Sequence, residues 1–109
     1  MAKLDLDYFE NVLMYNALTD SGYLSTIADN VQPEFFKSKD IASIFTIIKE
    51  FTEERNVLPT TTEIKQYLVT DELKTSFKNL VGSFKDIDKN INKDALIENT
   101  EQFLKEKAV

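Results

Sequence analysis

A chain of 109 residues, 42% hydrophobic and 29% charged, fits one globular domain with a single core rather than two, and is too charged for a membrane span of roughly eighteen apolar residues. It contains no Cys and no His, which excludes disulfides, thiolate and imidazole metal sets, thiol nucleophiles and Ser-His-Asp triads. A net charge of −6, with twelve Lys but one Arg, argues against direct sequence-specific DNA reading, because Arg is the better bidentate partner of phosphate and guanine.

Two Gly and two Pro punctuate the chain, and apolar residues recur at spacings of three and four, so the pattern is all-α, a compact bundle of about six helices. The first helix is expected from Asp5 to Leu18, with Leu6, Phe9, Leu13 and Ala17 on one face and Asp5 and Asp7 at its positive end. Ser21-Gly22 should break it, and Tyr23, Leu24, Ile27 and Ala28 mark a short helix that ends before Pro33. Ser38 is suited to cap a long helix whose stripe is Ile41, Ile44, Phe45, Ile48 and Phe51, with Asn56 as a left-handed C-cap. Thr60 with Glu63 matches a capping box ahead of Ile64, Tyr67 and Leu68. Thr70 or Asp71 caps another helix bearing Leu73, Phe77, Leu80, Val81 and Phe84, and Lys85–Ile91 reads as loop. The last helix begins near Asn92, carries Leu96, Ile97, Thr100, Phe103, Leu104 and Ala108, and runs to Val109 without Gly, Asn or Pro, as though truncated.

Charge is uneven: residues 1–36 carry a net of −5, whereas residues 74–93, with Lys74, Lys78, Lys85, Lys89 and Lys93, carry +3. The basic stretch reads first as a solvated face and second as a docking patch for an acidic partner or nucleic acid. Gly22 and Gly82 are isolated, so no phosphate-binding loop is present. Asp86-Ile-Asp88-Lys-Asn90-Ile-Asn92 alternates oxygen side chains as a calcium loop does, but Ile91 stands where the turn Gly belongs and Ile97 where the closing Glu belongs. Glu53-Glu54 and Asp71-Glu72 are adjacent, and neighbours on a helix point apart, so neither is an acid–base pair. Phe35-Phe36 reads as a hinge packed on the core rather than an exposed anchor, and the tyrosines as amphipathic core edges. Nothing here supports catalysis. The opening Met-Ala-Lys-Leu-Asp-Leu-Asp has no apolar signal core, which points to the cytoplasm.

Three segments, Tyr8–Met14, Val31–Phe45 with its Phe35-Phe36 pair, and Phe103–Val109, resemble in order the amino-terminal domain of DnaB-type replicative DNA helicases. The turn Asn56-Val57-Leu58-Pro59-Thr60 and the following Glu63–Leu68 are similar to the same family. The family's His near Lys39 is missing, and the Lys, Asn and Ile richness looks more like a phage-encoded member than a cellular one. The resemblance implies a non-catalytic assembly and docking domain of a hexameric, ATP-dependent helicase. Residues 1–91 would be the globular part and 92–109 the first helix of a hairpin leading to an absent motor domain. That motor would hold ATP and Mg and make most contact with DNA, leaving this segment without cofactor or metal. Partners would be other subunits of the hexamer and a primase or helicase loader, with no membrane involved. As half of a hairpin, the last helix would expose Phe103 and Leu104 unless another surface covers them, so Leu96, Thr100, Phe103 and Leu104 are the expected protein-contact residues. The alternatives are the helicase-binding module of a primase, disfavoured by domain order, and a stand-alone phage replication adaptor.

Overall fold

The computed structural model describes residues 5–108; Met1–Leu4, part of the segment read for a secretion signal, and Val109, where the last helix was expected to be left open, lie outside the described residues. Each of the six helices starts on a Ser, Thr, Asp or Asn side chain that accepts hydrogen bonds from the first turn's free N–H groups. They are α1 (Leu6–Thr19), α2 (Ser21–Ile27), α3 (Lys39–Arg55), α4 (Thr61–Lys65), α5 (Asp71–Ser83) and α6 (Lys93–Lys107), with no strand among the described residues.

The caps also define the corners. Asp20 is extended (φ −140°, ψ 102°) and its carboxylate accepts from the Tyr23 N–H at 3.1 Å, so the break falls there. Ser21-Gly22, expected as the break, instead form the first turn of α2, where backbone N–H groups need no helical partner. Ser38 caps α3, and Asn56 closes it in the left-handed region at φ 59°. The Thr60–Glu63 capping box forms in both directions, at 3.2 and 3.0 Å. In the Lys85–Ile91 loop a 3-10 turn covers Phe84–Asp86, and Ile87 anchors the segment at 6% exposure.

One core joins all six helices: Leu13 and Met14 of α1, Leu24 of α2, Ile44 and Ile48 of α3, Ile64 of α4, Phe77 of α5 and Phe103 of α6 are each at or below 2% exposure. Helix α3 is central, packing against α1, α4, α5 and the turn at Pro33–Phe35. Phe36 is buried and lies 5.4 Å from the Phe45 ring, so the aromatic pair is a hinge seated on the core. Val81, expected in the core stripe of α5, is instead 37% exposed. It sits one residue past Leu80, on the edge of the buried arc.

Helix α6 returns onto α1, with Phe103 stacked 5.5 Å from Phe9 in the common core.

Candidate functional site

Two places combine buried or unpaired polar groups with packed apolar surface, and the first lies where α1, the aromatic hinge and α6 meet. Glu10, at 6% exposure, faces inward from α1. Its carboxylate accepts from the Lys37 backbone N–H, immediately after Phe35-Phe36, at 3.1 and 3.3 Å. From α6 the Lys107 ammonium approaches the same carboxylate at 3.8 Å while lying 5.7 Å over the Phe103 ring. Burial pushes the Glu10 carboxyl above its ordinary value of 4.5, opposed by the Lys37 N–H and by Lys107.

The expected contact residues belong to the same region and face the core of their own chain. Leu96, Thr100 and Phe103 are 3%, 1% and 0% exposed, and Leu104 is half-buried against the core. The apolar face of α6 is covered by α1 and α2 of its own chain. Thr100 donates to the Leu96 carbonyl at 2.8 Å, so its hydroxyl hydrogen is committed, and the Tyr23 hydroxyl, 2.8 Å away, donates to it. That buried phenol is pushed up to about 12 by desolvation. At the other end, Lys93 pairs with Asp20 at 2.9 Å, and this hydrogen bond holds the Asp20 carboxyl below its ordinary value.

The second place is a groove of about 520 Å³ between α4 and α5, which both rest on α3. One wall is Thr61, Lys65 and Leu68, the other Lys74, Phe77, Lys78 and Val81. The second set has spacing i, i+3, i+4, i+7, one face of a helix. Leu68 and Phe77 form a buried floor, and Lys65, Lys74 and Lys78 are exposed on the rim.

The basic stretch 74–93 is thus not one patch. Lys93 is used by Asp20, Lys89 lies 5.6 Å over the Tyr15 ring, and Lys74 and Lys78 join Lys65 from a different helix. Sequence reasoning missed Lys65 and placed Val81 in the core, whereas Phe77 is buried there as expected. The available signal was the alternation of Lys and apolar residues along one face of α5.

The ATP and Mg that the resemblance implies belong to the motor domain. No group of three or more potential ligands is assembled among the described residues. No helix among them is long and apolar enough to cross a membrane. No family model, curated protein or solved structure matches the chain.

Proposed function

We propose that this chain is the amino-terminal assembly and docking domain of a hexameric, ATP-dependent replicative DNA helicase of the DnaB type, phage-encoded and acting in the host cytoplasm. In this reading it belongs to the collar, contacts other subunits and engages a primase or helicase loader, and the motor that binds ATP, Mg and DNA lies elsewhere in the parent protein.

One observation carries the reading: the three segments that resemble the family meet at Glu10. Glu10 comes from the first segment, the Lys37 N–H from the second at 3.1 Å, and Lys107 from the third at 3.8 Å. Residues far apart in the chain but similar together to one family are expected to be joined by packing, and here one buried carboxylate joins them. A role in docking rather than chemistry also suits the arrangement. The polar groups at this junction are engaged with each other, and no buried side-chain N or O among the described residues lacks a partner.

The burial of Leu96, Thr100 and Phe103 changes how α6 would take part in assembly. Its apolar face holds the bundle, so subunits would meet its outer face, where Glu98, Glu101, Gln102 and Lys105 are exposed, or the half-buried Leu104. Light scattering coupled to size exclusion tests this on the present chain and on one extended through a return helix. Self-association of the longer protein is expected; a strictly monomeric longer protein removes the main support. The encoding gene provides a second test. A phosphate-binding loop downstream of Val109 is required, and a stop codon directly after it overturns the reading.

A further inference from the structure

We propose that the α4–α5 groove is a docking site for an acidic peptide segment carrying one or two apolar anchor side chains. The inference goes beyond the helicase reading and does not depend on it.

Charge complementarity is the first argument. Lys65, Lys74 and Lys78 surround the groove, and none forms an ion pair among the described residues. The nearby acids are otherwise placed: Glu63 is held in the Thr60 capping box, and Asp71 and Glu72 stand on the first turn of α5 outside the groove lining. A cationic rim on a chain of net −6 is a local reversal of sign, which selects an anionic visitor at this place and repels it elsewhere.

The floor decides which anion. The exposed edge of Val81, above the buried Leu68, offers apolar contact between the lysines, as an amphipathic peptide needs. A single-stranded nucleic acid would gain from an aromatic face for base stacking, but Phe77, the aromatic residue of the lining, is 2% exposed and offers none. From Lys74 to Val81 the α5 wall spans about 10 Å, room for roughly two turns of a helical peptide. The lysines would pair with carboxylates on both flanks while an apolar side chain covers Val81.

The test is fluorescence anisotropy on the full chain. The probe is a labelled twelve-residue peptide of Asp and Glu interspersed with Leu and Phe. Controls are the same peptide with Asn and Gln replacing the acids, and an oligothymidylate of equal length. Binding of the acidic peptide alone is expected, weakening with added salt. Lys65→Gln, Lys74→Gln and Lys78→Gln should each weaken it about two- to fivefold, as exposed ion pairs do. Val81→Asp should weaken it about tenfold through lost apolar contact and charge repulsion. All four side chains are exposed, and circular dichroism checks that each variant is folded; if V81D is not, V81S serves. The proposal is overturned by equal binding of the neutral peptide, by no binding of the acidic one at millimolar concentration, or by binding indifferent to these variants. It is equally overturned if the oligothymidylate binds in its place, or if the groove mediates self-association that Lys78→Glu abolishes. A stop codon after Val109 with acidic-peptide binding intact would remove the helicase reading and leave the groove, and the reverse result would do the opposite.

Discussion

Glu10 is the residue on which three parts of the chain depend, and it is a charged group at 6% exposure. Removing a buried acceptor strands its donor, so Glu10→Ala leaves the Lys37 N–H without its partner and should cost about 2–3 kcal/mol, measurable by urea unfolding. Its pH dependence runs opposite to that of most acids. The folded carboxyl titrates above its ordinary value of 4.5, so the folded protein holds the proton more tightly than the unfolded chain. The stabilisation linked to that proton is complete below about 4.5 and is lost as pH rises through the folded value. Glu10→Gln cannot titrate there, so the stability of the parent relative to this variant should be greater at low pH than at neutral pH. Unfolding curves of both proteins at the two pH values check the sign. Tyr23 gives the alkaline counterpart. Its phenol is raised from 10.0 to about 12, so its share of stability is present below 10 and lost as pH rises through 12. Tyr23→Phe should flatten that loss. Thr100→Val is the harsher change, because it leaves the buried Tyr23 hydroxyl without its acceptor at a cost of about 1–3 kcal/mol.

At the scale of elements, the helix ends were legible in the sequence wherever one side chain and its neighbours decide them. Ser38, Thr60 with Glu63, Thr70 and Asn92 act locally, through bonds to N–H groups two or three residues ahead. Asn56 is similar, since Asn tolerates the left-handed region better than other residues bearing a Cβ. Asn56→Ala should therefore destabilise by about 1 kcal/mol and Asn56→Gly should be close to neutral, a pair of thermal melts that separates backbone strain from side-chain loss. The break between α1 and α2 was misplaced because Ser21-Gly22 is a common breaker pair, whereas Asp20 can stop one helix and cap the next at once. Val81 was misassigned for a different reason. Periodicity marks an apolar arc but not its width, and the α4–α5 groove falls at its margin. Lys65 joins Lys74 and Lys78 only because α4 and α5 both pack on α3 and line one groove, which no local pattern records.

The whole molecule is where sequence reasoning reached least far, and α6 shows why. Its apolar stripe was plain, but a stripe states only that something covers it, not whether that is the same chain or another. Here the cover is α1 and α2. Phe103 lies against Phe9, Thr100 against Tyr23, Lys107 against Glu10 and Lys93 against Asp20, so contacts along the length of α6 hold it down. The Cα radius of gyration of 13.3 Å agrees with the roughly 13 Å expected of a compact chain of this size, which leaves no allowance for a detached helix. Removing a fully buried Phe leaves a cavity in a core shared by every helix, so Phe103→Ala should cost about 3–5 kcal/mol. If α6 were an appendage, the same change would leave the unfolding of the remaining helices nearly untouched. Hydrogen exchange distinguishes the two cases without a mutation. Amides in the middle of α6, from Leu96 to Phe103, should open only with the global unfolding that exposes α1 and α3, whereas a detachable helix would exchange through a much cheaper local opening. Matching protection in α6 and α3 is the expected result; exchange in α6 faster by orders of magnitude would return Leu96, Thr100 and Phe103 to the surface available for partners.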